Sequence, residues 1–391
     1  MRLRQFIASG STTSAALSAL GCDPDSSGEA PSLIVAFFGA GHDALAVDAF
    51  LRARFPATPF LGGTSCRGVL TAGRAPSPED VGLLMIADAG GDYGVGAAPV
   101  ADDPGAAAEA ALDRALAACG CEDELPAVVW IYQPPGAEER VLEALAKRLG
   151  ARCPIVGGSS ADDDVSGRWR QIASAGVDGP SVVVAVMFPT TAVAASFQSG
   201  YAPTAHAGVV TAADGRVIRE IDGRPAARVY DGWLGGALGH KFGGGGVLAE
   251  SALAPLGVAA GVVDGVDRHR LIHPARFGDG DVLECFAEVG AGETVVLMEG
   301  GGDALARRAG RTLADAAGRL PDPDRLAGAL MIYCGGCVMA IGDRLDVLAD
   351  EVAAAAHGRP VIGAFTFGEQ GPMARGAVHG NLMVSALAFG G

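Results

Sequence analysis

The chain has 391 residues, 49% of them hydrophobic, enough for large cores in two or three domains. Its 29 basic against 45 acidic side chains leave a net charge of −16, a balance that disfavours phosphate backbones and anionic lipid, so neither nucleic acid nor a membrane surface is expected as a partner. No apolar run approaches the ~20 residues of a membrane-spanning helix.

In chain order, Arg2 and Arg4 precede an apolar stretch to Leu20 and then Cys22, as in an export signal. Gly, Ser and Thr at 9–14 interrupt it, so it reads as a strand at 5–9 and a helix at 13–20. An apolar strand follows at 33–38, a helix at 43–54, the turn Pro59-Phe60-Leu61-Gly62-Gly63-Thr64-Ser65, and a strand at 81–87. The same order returns with a strand and helix over 93–118, a strand at 128–132 and a helix at 138–149. The turn Pro154-Ile155-Val156-Gly157-Gly158-Ser159-Ser160 and a strand at 181–188 complete that copy. A third copy reads as a strand and helix over 294–320, a strand at 330–333 and a helix at 344–356. It ends on Pro360-Val361-Ile362-Gly363-Ala364-Phe365-Thr366 and a strand at 381–389. The expected fold class is α/β, with repeated β-α-β-α-β units forming mixed sheets covered by helices. Between the second and third copies, 209–292 has its own pattern, with a strand at 216–221 and a helix at 225–234 that has proline at its first position.

In the Pro-φ-φ-Gly turns, where φ is an apolar residue, proline fixes entry into a buried strand and glycine allows a backbone that a Cβ would obstruct. Ligands of open α/β sheets bind outside strand ends, which makes Gly63, Thr64, Ser65, Gly158, Ser159 and Ser160 candidate ligand-binding residues. The plainer reading is that their hydroxyls satisfy turn backbone. Glu369, in an apolar stretch, is a candidate anchor for a ligand amine, against a buried carboxylate bonded to backbone amides. Cys334-Gly335-Gly336-Cys337 lies between a strand and a helix, the position of a redox dithiol. The favoured reading is two reduced cysteines in a glycine turn, and with no second pair a zinc site is not expected. The eight cysteines are scattered, as suits reduced thiols of a cytoplasmic protein. Phe242-Gly243-Gly244-Gly245-Gly246 lacks the lysine and hydroxyl of a phosphate loop, and Asp162-Asp163-Asp164 reads as a solvated run.

These residues in this order resemble the FIST sensory family. Gly62-Gly63-Thr64-Ser65 and Gly157-Gly158-Ser159-Ser160 look like its N-terminal module. Ile221-Asp222-Gly223-Arg224-Pro225-Ala226, Tyr230, Tyr333-Cys334, the turn at 360–365, Gly368-Glu369 and Asn381 look like its C-terminal module. The resemblance implies two modules, 1–205 and 206–391, forming a small-ligand sensor. Because they consume the chain, the output is expected to be a separate partner such as a sensor histidine kinase. Amino acids are one ligand class proposed for the family. Another subtype binds haem b and senses nitric oxide, which here assigns His273 as the haem ligand. Cys153-Pro154 looks like a haem-regulatory dipeptide, but its proline is already explained by the repeat, and Val338 after Cys337 excludes c-type attachment. Many relatives carry arginine where this chain has Cys337. No catalytic residue is expected; the alternative is a cysteine-dependent enzyme using Cys334, for which the sequence offers no base.

Overall fold

The computed structural model describes residues 1–22, 29–263, 265–374 and 376–391. The apolar runs of the repeats form three mixed sheets. Arg2–Ser9, Asp80–Ala87, Leu33–Gly39 and Phe60–Ser65 lie side by side in the first. Asp92–Pro99, Ser181–Phe188, Val128–Gln133 and Ile155–Ser159 do so in the second, and Val193–Ser199, Met383–Gly390, Leu326–Cys334 and Val361–Thr366 in the third. In each quartet only the last pair is parallel, and Ala44–Arg54, Glu138–Leu149 or Leu345–Ala356 lies in the crossover that parallel pairing requires.

The central strands are buried on both faces, which is why they read as unbroken apolar runs. Leu33, Val35 and Phe37 join Trp130, Tyr132, Leu330 and Ile332 in a core shared by all three units. The alternate residues Ile34, Ala36 and Phe38 face the helices of their own unit. The turn glycines do what the sequence suggests. At Gly62 (φ +152°) an added Cβ would lie 1.7 Å from the Ala36 carbonyl oxygen, and at Gly157 (φ +156°) 2.0 Å from that of Ile131.

One element is assigned differently from the sequence reading. The strand that opens the third unit is Val193–Ser199, paired with Met383–Gly390. Thr294–Glu299 instead pairs with Ala202–Asp214 and Leu256–Val263 in an eight-stranded antiparallel sheet. That sheet is inserted between the first strand of the third unit and its helix Gly302–Gly318. An apolar run before a helix looks the same in either place, and only long-range pairing separates the two.

Each unit also lends a short strand to a neighbour. Gln171–Ala173 of the second unit pairs with Phe60–Ser65, Val69–Thr71 of the first with Val361–Thr366, and Glu369–Met373 of the third with Ile155–Ser159. The exchange closes a ring in which every unit gives one strand and receives one. All eight cysteines are free thiols. Among the described residues no helix is long and apolar enough to cross a membrane.

Candidate ligand-binding site

Residues just past the ends of the parallel strands converge on one cavity of about 270 Å³: Cys66 and Arg67, Pro135 and Gly136, Cys334 to Gly336, and Phe367. Arg216, Leu248, His273 and Phe286 close it from the inserted region, and Asp163, Val165 and Trp169 arch over it from the second unit. Ligand pockets usually span roughly 300–1,000 Å³, so this one suits a ligand of amino-acid size.

Of the sequence-predicted site residues, Cys334 and His273 line the cavity. The strand-end hydroxyls lie behind its wall and bind the protein itself. Thr64 Oγ1 accepts from the Arg170 N–H at 3.0 Å. Ser65 Oγ donates to the Gly68 carbonyl and accepts from the Phe365 N–H at 2.8 Å, tying the first unit to the third. Ser159 Oγ donates to Glu138 Oε1 at 2.7 Å, and Ser160 Oγ donates to the Gln133 carbonyl at 3.1 Å and accepts from Gln171. Gly63 and Gly158 mark close approaches between units, where a Cβ would lie 2.2 Å from the Arg170 carbonyl oxygen and 2.7 Å from Thr366 Cγ2. Glu369, fully buried, accepts from Thr366 Oγ1 at 2.8 Å and the Met383 N–H at 3.1 Å.

Burial governs the titration of these groups. It pushes the Cys66 thiol up to about 12, with Asp163 adding to the effect. Burial and then Cys337 raise the Cys334 thiol well above its ordinary value. Burial and then Cys334 raise the Glu369 carboxyl well above its ordinary value. Glu138 behaves in the opposite way. Burial would raise it, but His379 and Arg216 outweigh that effect and hold it below the usual carboxylate range. Arg216 donates to Glu138 at 2.6 Å and to Glu139 at 2.5 Å. Among the described residues, Glu138, Glu139 and His379 are the one group whose ligand atoms lie close enough together to hold a metal. The Arg216 guanidinium already neutralises both carboxylates.

His273 is 3% exposed, and burial holds it at about 4, so its imidazole is neutral. Nε2 lies 3.1 Å from the Leu248 carbonyl oxygen, and Nδ1 faces Gly336, where a Cβ would come within 3.4 Å of it. With Nε2 donating to the Leu248 carbonyl, the neutral imidazole keeps an unprotonated Nδ1 beside Gly336, another residue of the cavity wall.

The sequence reading missed Arg67, Arg216, Glu138 and Trp169. Glu138 and Arg216 stand 78 residues apart and meet only through the tertiary fold, so no local signal marks them. The aspartate run has a structural use. Asp162 is fully buried and accepts from the Arg168 N–H at 2.8 Å and from Asp164, Ser166 N and Ser166 Oγ at 3.3 Å, which organises the overarching loop.

The protein is α/β, with three like units whose strand ends meet at a cavity that an inserted sheet closes, and that cavity is the candidate ligand site. Residues 32–224 match the FIST N domain and residues 226–372 the FIST C domain. The chain belongs to the FIST family, whose domains are generally small-ligand sensory domains. An uncharacterised protein of Methanocaldococcus jannaschii is 33% identical over 94 residues, covering 24% of this chain and 18% of that protein. The crystal structure of a cyanuric acid hydrolase from A. caulinodans aligns with 100% of this chain and 99% of its own at 11% identity, with a TM-score of 0.37.

Proposed function

We propose that this protein is a cytoplasmic sensor that holds an amino-acid-sized ligand in the central cavity and reports it to a separate output protein, such as a sensor histidine kinase. The observation that supports this most is that one cavity takes its wall from all three units and from the inserted region. A ligand there touches every part of the fold at once, so its binding energy bears on how they pack. The protonated state of Cys334 favours this reading over a thiol enzyme, since the thiolate is the nucleophile. A haem-bound form that senses nitric oxide is the competing reading, in which His273 Nδ1 would hold the iron while Nε2 donates to the Leu248 carbonyl.

Small molecules released from the purified protein by denaturation and identified by mass spectrometry test the proposal. Met339, half exposed at 50%, lines the cavity, and Met339→Trp should obstruct it and abolish both co-purification and any ligand-induced thermal shift. Recovery of the same molecules from the variant would refute a ligand in this cavity. A Soret band on haem loading that disappears in His273→Ala would establish the haem reading instead.

A further inference from the structure

We propose that the cavity recognises its ligand as a carboxylic acid, through Arg67 and Asn381, and does not require the amino group of an amino acid. This rests on the ligand-binding reading of the cavity. Arg67 is exposed and stands in left-handed backbone at φ 59°, with its N–H donating to Asp163 Oδ1 at 2.6 Å. Among the described residues nothing bonds its guanidinium, whereas Arg216, the other guanidinium of the wall, is bonded to Glu138 and Glu139. Asn381 is 2% exposed and lines the same cavity. Its side-chain oxygen accepts from the His273 N–H at 3.2 Å, which leaves the amide N–H groups with no acceptor. A buried donor without a partner is costly, and a ligand oxygen here relieves it. Of the six non-glycine residues in left-handed backbone among the described residues, Arg67 and Val165 line the cavity and Leu382 adjoins Asn381. Such strain persists where surroundings impose it, and it concentrates at ligand sites.

The acceptors complete the argument. Two carboxylates line the cavity, Glu138 and Asp163. Both oxygens of Glu138 are engaged, one by Ser159 and the other by the Gly136 N–H and Arg216. Asp163 is exposed, as Arg67 is, and already holds the Arg67 amide, so an ammonium finds no buried charged partner here, whereas a carboxylate has the buried Asn381 amide. The remaining wall is apolar, with Trp169 and Phe367 edge to face at 5.9 Å. Two donor groups, no free buried carboxylate to pair with an ammonium, and an aromatic wall whose one uncharged ring acceptor is His273 Nδ1 describe a site for a short acid with an apolar or aromatic body.

Matched probes decide it: hydrocinnamate against phenylalanine, hydrocinnamamide and phenethylamine, and isovalerate against valine, isovaleramide and isobutylamine. Binding to the full chain is read by ligand-observed NMR and thermal shift. We expect each acid to bind at least as tightly as its amino acid and the amides and amines not to bind. Arg67→Gln and Asn381→Ala should each weaken the acids by about tenfold or more, with Arg67→Lys intermediate. The inference is overturned if amides or amines match the acids, if only the amino acids bind, if Arg67→Gln leaves acid binding unchanged, or if no acid binds. The co-purification experiment with Met339→Trp does not depend on a carboxylate, so it shows separately whether the cavity is a ligand site.

Discussion

His273 illustrates how much of the site chemistry is set at the level of one buried side chain. Held at about 4 against an ordinary value near 6.5, it binds fewer protons folded than unfolded between those two pH values. Its contribution to stability is complete above the unfolded value and declines as pH falls toward 4, by roughly 3 kcal/mol in all. Urea unfolding of wild type and His273→Gln at pH 4, 5 and 7 should therefore show the variant gaining on wild type as the solution is acidified. A difference that does not change with pH would mean that His273 is not held neutral. Arg216 invites a second measurement. Removing it strands the buried Glu138 carboxylate, and such a loss typically costs about 3–5 kcal/mol. Because the Arg216 side chain is 22% exposed, the low end applies to Arg216→Met. Adding Glu138→Gln should recover part of the loss, and additive effects in the four-variant cycle would show that the pair is not coupled.

Elements with a period were legible in the sequence, and elements without one were not. Glu138–Leu149 buries Val141, Leu142, Leu145 and Leu149 on one side, at helical spacing. The exchanged strands Val69–Thr71 and Gln171–Ala173 are three residues long, too short to carry a pattern, and their partners lie in other units. Thr294–Glu299 was visible as a strand but its sheet was not, because pairing is decided far along the chain. The site divides in the same way. Cys334 and His273 lie beside apolar strands and line the cavity, whereas the hydroxyls of the Gly-Thr-Ser and Gly-Ser-Ser segments lie behind its wall and fasten the protein to itself. Composition cannot tell a hydroxyl that faces a ligand from one that fastens two units together. The overarching loop offers a test at this scale. Asp162 gathers four donors, and Asp162→Ala leaves three backbone N–H groups of a surface loop to solvent. Tryptic cleavage after Arg168 or Arg170 should become fast relative to wild type, with a stability loss of about 1–3 kcal/mol. Unchanged proteolysis would show that Trp169 packing alone holds the loop.

At the scale of the molecule, the ring of exchanged strands determines how the protein comes apart. No unit completes its own sheet. The first needs Gln171–Ala173, the second Glu369–Met373 and the third Val69–Thr71. Their inner faces also form one core, in which Phe37, Trp130 and Ile332 share a cluster. Unfolding any unit removes an edge strand and a core wall from another, so the three should melt as a single cooperative step. The inserted sheet differs, since Val210, Ile218, Tyr230 and Phe277 form a cluster of their own. Calorimetry should accordingly show one major transition for the units, with calorimetric and van't Hoff enthalpies in agreement, and at most one separate transition for the inserted sheet. A fragment of residues 1–190 retains two units but loses Glu369–Met373 from its second sheet and leaves Val69–Thr71 with nothing to join. Such a fragment should expose apolar surface, bind hydrophobic dyes and lack a sharp transition. A fragment that melted cooperatively near the temperature of the intact chain would show that two units suffice. In that case a ligand at the junction would reach the third unit through the cavity wall alone, not through the ring.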